Sequence, residues 1–125
     1  MKSLNIVFPA PGEVHVTRQD IAPLGPTEIL CRASRSLLST GTETFCLTGD
    51  FDPGTFWEEW VEYPFAPGYS MVSTVVETGA EVTRFTVGDR VATATPHAQL
   101  FSVDARQAVP IPDHVTDEQA CWMSL

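Results

Sequence analysis

PGYSMVSTVVETGAEVTRFTVGDRV, residues Pro67 to Val91, is the stretch whose reading decides the fold. Val72, Val75 and Val76 carry β-branched side chains, stiff at χ1 and suited to a pleated, buried surface. The pattern predicts a strand over Tyr69–Glu77, a reversal at Gly79 and a short return. A turn at Gly88-Asp89 then launches another strand at Arg90. By themselves these residues specify a β-rich barrel or sandwich.

Toward the N-terminus, Leu4 to Phe8, the turn Pro9-Ala10-Pro11-Gly12, and Glu13 to Arg18 with Val14 and Val16 alternating predict an opening hairpin. Glu28 to Leu38 alternates through Ile29, Cys31 and Ala33, a third strand buried on one side. Ser39 to Phe45 crowds hydroxyls around Gly41, the composition of a helix cap. In Asp50 to Phe65 a short helix capped by Thr55 would place Trp57, Trp60 and Val61 on one face and Glu58, Glu59 and Glu62 on the other. That aromatic face either packs on the barrel or walls a cleft for a bulky apolar substrate.

Toward the C-terminus, His97 lies in a Pro-His-Ala turn between a strand from Arg90 to Thr95 and another from Gln99 to Val103. Val109-Pro110-Ile111-Pro112 is extended, and Thr116 with Gln119 forms a capping box. The apolar helix begun at Ala120 is too short to stand alone and is expected to continue and pack elsewhere.

The 125 residues suffice for one domain with a modest core, and 43% hydrophobic content is ordinary for a globular chain. A net charge of −9 with a single lysine, Lys2, offers no basic stripe, which disfavours nucleic acid and anionic membrane surfaces as partners. No apolar run is long enough to span a bilayer and the N-terminus lacks a signal-peptide core, so the expected location is cytoplasmic. Cys31, Cys46 and Cys121 are odd in number and widely spaced, which predicts reduced thiols, Cys31 facing a core.

The succession Val75-Val76-Glu77-x-Gly79, Val82-Thr83-Arg84-Phe85 and Val87-Gly88-Asp89-Arg90-Val91 resembles the N-terminal, GroES-like domain of the medium-chain dehydrogenase/reductases. That superfamily holds zinc alcohol dehydrogenases and zinc-free quinone and enoyl reductases. The resemblance implies a mainly β, GroES-like, partly open barrel with short helices. Residues 1–112 would be the substrate-side domain and 113–125 the start of the helix leading to a nucleotide-binding Rossmann domain missing here. No Gly-x-Gly-x-x-Gly fingerprint occurs, so NAD or NADP is expected in the full-length enzyme with its site mostly outside this chain. A homodimer, where one forms in the family, uses the Rossmann half.

The family's Cys-Gly-Thr-Asp-x-His matches Thr40-Gly41-Thr42-Glu43-Thr44-Phe45, and its Gly-His-Glu matches Gly68-Tyr69-Ser70. The resemblance thus puts Thr40 and Tyr69 where the first two catalytic zinc ligands would be, and no counterpart of the structural zinc lobe follows Val91. Both zincs are expected to be absent. Thr42 matches the proton-relay hydroxyl, while Phe45 replaces the next relay member.

The candidate catalytic residues are Thr42, Tyr69 and His97, and the candidate substrate contacts are Thr40, Trp57 and Trp60. The plainer roles are a helix cap for Thr42, ring packing for Tyr69, a solvated loop for His97 and barrel packing for the tryptophans. The expected function is the substrate-binding domain of a zinc-independent NAD(P)-dependent oxidoreductase transferring hydride to or from a carbonyl, alcohol or activated alkene, the fragment alone inactive. The alternatives are a non-catalytic GroES-like interaction module and a degenerate dehydrogenase paralogue.

Overall fold

The structure, a computed structural model, describes residues 1–125 and contains seven strands and three short helices. β1 (Lys2–Val7) and β2 (His15–Asp20) pair antiparallel as a two-stranded ribbon, with Ile6 opposite Val16. The main sheet has the order β6-β3-β4-β5-β7, built from β3 (Glu28–Ser36), β4 (Met71–Thr78), β5 (Arg90–Thr93), β6 (Leu100–Asp104) and β7 (Val109–Pro110). Both sheets are open. The stretch that decided the fold supplies β4, which runs between β3 and β5, and β5.

β4 begins two residues later than the sequence pattern predicts, because Tyr69 and Ser70 precede the ladder. β3 departs from the predicted one-sided burial: Ile29, Leu30 and Cys31 are all buried. A register shift between Leu30 and Cys31 explains it, since an extra residue in one strand breaks strict alternation. Gly79 sits where any Cβ would collide with the backbone carbonyls of Gly25 and Pro26, so the reversal after β4 requires glycine.

The largest core cluster lies on the main sheet and includes Ile29, Cys31, Met71, Val75, Val91 and Phe101. A second joins Phe8, Cys46 and Val61 beneath α1 (Thr40–Thr48) and α2 (Phe56–Trp60). A third places Ala120 and Cys121, at the end of α3 (Asp117–Ala120), against Val72. All three cysteines are free and buried. No helix is long and apolar enough to cross a membrane.

The ribbon is tied to the main sheet on either side of one residue. Ile6 N–H donates to the His97 carbonyl at 3.1 Å, and Gln99 N–H donates to the Leu4 carbonyl at 2.8 Å. His97 therefore stands at the seam between the two sheets.

Candidate functional site

The site is built from three segments that meet at that seam. The first is the end of β3, where Ser36 is exposed, and the helix α1 that follows it. The hydroxyl-rich sequence before α1 does not cap through Ser39, whose side chain makes no cap hydrogen bond. The Ser39 N–H instead donates to Glu43 Oε2 at 2.6 Å, and Glu43 N–H donates to the Ser39 carbonyl at 2.8 Å. Those bonds turn Glu43 inward, and it is 6% exposed.

The second segment is His97, which the pattern reads as a loop residue and which is buried. Its backbone N–H donates to the Pro67 carbonyl at 2.8 Å. The third is Gly68, at φ 105°, packed so closely that a Cβ there would lie 2.8 Å from the imidazole Cδ2. Glycine is required both for the left-handed backbone and for this approach. With main chain on one side and Gly68 on another, the ring has one orientation.

That orientation sets its two nitrogens to different partners. His97 Nε2 lies 2.5 Å from Glu43 Oε1, and Nδ1 is hydrogen-bonded to Ser36 Oγ. The Glu43 and His97 side chains are each 7% exposed. A buried carboxylate is costly unless paired and hydrogen-bonded, and here one oxygen has the imidazole and the other has the Ser39 N–H. Removing one partner of such a buried pair costs on the order of 3–5 kcal/mol.

The pair faces a cavity of about 330 Å³. Ile6, Phe8, Leu38, Leu47 and Pro67 supply its apolar wall, and Thr40, Glu43, Thr44 and His97 its polar groups. A second cavity of similar size has Ile6, Ser36, Leu38 and His97 on its wall, so the imidazole borders both. The volume is at the small end of the range for small-molecule pockets.

Among the residues singled out from sequence, Thr40 and His97 share the first cavity. Thr42 is half-buried on α1 and lines neither cavity. Tyr69 is half-buried ahead of β4 and also lines neither. Trp57 and Trp60 belong to an aromatic cluster: Trp57 meets Phe45 edge-on at 4.9 Å and Trp60 at 5.7 Å, and Trp60 meets Phe65 at 5.3 Å. Phe8, 6.3 Å from Phe65, connects that cluster to the cavity, whose wall is aliphatic apart from Phe8 itself. Sequence reading passed over Glu43 and Ser36. The available signal for Glu43 is a lone carboxylate among hydroxyls at the start of an inward-facing helix.

Thr40 presents a hydroxyl, a poor zinc ligand, to the first cavity, and no group of three His, Cys, Asp or Glu side chains is placed to hold a metal ion. Cys46, beside Glu43, is buried, and burial followed by the nearby Glu43 charge pushes its thiol up, away from the nucleophilic thiolate.

The sequence family described as the alcohol dehydrogenase GroES-like domain matches residues 26–113. No curated protein matches the chain in sequence. Among solved structures, the chain is similar to a presumed NADPH:quinone reductase of Bacillus thuringiensis, with 26% identity and a TM-score of 0.80 over 100% of this chain and 38% of that one. It is similar to a Pseudomonas syringae quinone oxidoreductase at 25% identity, TM-score 0.71, over 95% of this chain and 36% of that one. The fold also matches an Escherichia coli quinone oxidoreductase complexed with NADPH, at 20% identity and TM-score 0.69, over 94% and 36% of the two chains. The chain thus spans well under half the length of these proteins.

Proposed function

Since the chain belongs to the alcohol dehydrogenase GroES-like domain family, we propose that it is the substrate-side part of a zinc-independent NAD(P)-dependent oxidoreductase acting on a small carbonyl compound or activated alkene. Residues 1–112 form the substrate-side domain in this reading, and 113–125 lead toward a nucleotide-binding domain. The observation that carries it is the apolar cavity whose ionisable wall groups are the paired Glu43 and His97. The likeness to quinone oxidoreductases supports the choice of a reductase.

When bound, the nicotinamide cofactor supplies a hydride. This chain's residues then have two tasks, to seat an apolar substrate and to provide a proton. Ile6, Leu38 and Leu47 exclude water from the substrate. Thr40 presents a hydroxyl at the same wall and orients a substrate oxygen by hydrogen bonding. His97, held in one orientation and paired with Glu43, handles the proton of the site. Thr42 lies on α1 and Tyr69 just ahead of β4, both outside the cavity.

The test is cofactor oxidation by the protein extended through its natural downstream sequence, with a metal chelator present and ketones, enals and quinones as acceptors. The expected outcome is turnover that chelation does not reduce and that His97→Asn lowers by about 10²-fold or more. Absence of turnover by a folded protein that binds the cofactor overturns the proposal.

A further inference from the structure

We propose that Glu43 is the residue that hands the proton to the substrate, with His97 behind it as its proton partner and Ser36 as the positioning residue that fixes the tautomer. This rests on the reductase reading above and extends it to the source of the proton and the class of substrate.

The two ends of the imidazole meet different partners. Nε2 meets Glu43 Oε1 at 2.5 Å in a setting where both side chains are almost fully buried. Nδ1 meets Ser36 Oγ, a hydroxyl on an exposed residue. A hydroxyl can donate or accept, and the choice decides what the pair can do. Were Ser36 to donate, the ring would carry its single proton on Nε2, and the pair would hold a net negative charge among Ile6, Leu38 and Pro67. That charge would keep its hydrogen bonds from the Ser39 N–H and Nε2–H but would have no counter-ion, and a buried charge without one is costly. Were Nδ1–H to donate to Ser36, the Ser36 hydroxyl proton could turn to water, and a further proton would be shared between Nε2 and Oε1. The pair would then be neutral overall. Only this second arrangement has a proton to spare, because in the first its removal would leave an imidazolate.

Glu43 lines the cavity directly, so its carboxyl can reach a bound substrate. A nicotinamide cofactor would supply the hydride, with its two electrons, needed at the carbonyl carbon or at the far carbon of an enone. The negative charge that appears on the substrate oxygen takes the shared proton from Glu43 Oε1. Nδ1–H stays on Ser36 throughout. After the product departs, one proton from bulk solvent is taken up by the Glu43–His97 pair.

The same wall defines the substrate. The cavity's apolar wall is aliphatic apart from Phe8, and its polar groups are two threonine hydroxyls, the His97 imidazole and one carboxyl, with no lysine or arginine, in a chain of net charge −9. Such a site takes a compact, neutral carbonyl compound or enone and rejects carboxylate- or phosphate-bearing ones, which would face Glu43 without a counter-ion.

Two measurements test this. On the chain as it stands, ¹⁵N shifts of the His97 ring at neutral pH should show Nδ1 protonated, and Ser36→Ala should release it into a tautomer mixture that Ser36→Thr does not. Nδ1 found with a free lone pair in the wild type overturns the assignment. In the full-length protein, Glu43→Gln, close to isosteric, should lower kcat by about 10²–10³-fold with little change in KM for a neutral enone. Ser36→Ala should lower kcat less, and Ser36→Thr should restore it.

Wild-type turnover together with an undiminished Glu43→Gln variant overturns the role of Glu43 and leaves the reductase reading standing. Equal turnover of neutral and anionic enones overturns the substrate class. No wild-type turnover with any acceptor overturns the reading beneath both.

Discussion

Cys31 has no exposed surface and sits in the main-sheet core beside Met71 and Val75. Burial pushes its thiol up to about 12, from an ordinary value of 9.0. The unfolded chain therefore ionises this thiol before the folded one does. The stability it contributes is intact below pH 9 and is lost as the pH climbs from there toward 12. Urea midpoints measured between pH 8 and 11 should fall with pH, less steeply in Cys31→Ala than in the wild type even though the variant starts lower from its cavity. Equal slopes would mean that other groups carry the alkaline loss. The inward placement of Cys31 was legible from the alternation Ile29, Cys31, Ala33. The pairing at His97 was not. Its partners lie 54 and 61 positions away in sequence, and no local pattern specifies which loop histidine a distant carboxylate will meet.

At the scale of elements, α3 shows how local a legible feature must be. Its capping box needs only residues three apart, and both bonds form: Gln119 N–H donates to Thr116 Oγ1 at 3.2 Å, and Thr116 N–H donates to Gln119 Oε1 at 2.9 Å. What holds this four-residue helix to the sheet is not local. Arg90 of β5 donates to Asp117 Oδ1 from Nε at 2.9 Å and from Nη2 at 2.6 Å, and Ser34 of β3 donates to Oδ2 at 3.0 Å.

The Arg90 bond, ahead of the smaller Ser34 contribution, holds the Asp117 carboxyl below its usual range. A carboxyl lowered in the folded state adds stability above its ordinary pKa of 3.8, and that stability disappears as the pH falls below it. Asp117→Asn should cost on the order of 1 kcal/mol at pH 7, the pair being partly solvated, and should be nearly neutral at pH 2. Thermal melts of the two proteins at both pH values check this. A constant difference across pH would mean that the Asp117 charge carries none of the effect.

The whole molecule is three clusters joined by thin seams. The main-sheet cluster is knit by β3 and β4, paired from Ile29–Thr78 to Ser36–Met71. The strands that form it were readable because β-branched residues and turn glycines mark them one at a time. The assembly of the ribbon on that sheet was not readable, because its ties are single bonds such as Leu100 N–H to Ser3 Oγ at 2.9 Å.

The aromatic cluster under α1 and α2 is more weakly anchored. α2 has no buried residue, Phe56 is 67% exposed and Trp60 41%, and its closing bond is Val61 N–H to the Trp57 carbonyl at 3.0 Å. Regions with little burial open at low free energy, and core strands open only with the whole. Native-state hydrogen exchange should therefore divide the chain. Amides of α2 should exchange by local opening that dilute denaturant barely accelerates, while those of Cys31 and Val75 should exchange only through global unfolding, with the full denaturant dependence. A common exchange free energy for both sets would show that the aromatic cluster and the sheet unfold as one unit, and the cavity between them would then be as rigid as the core.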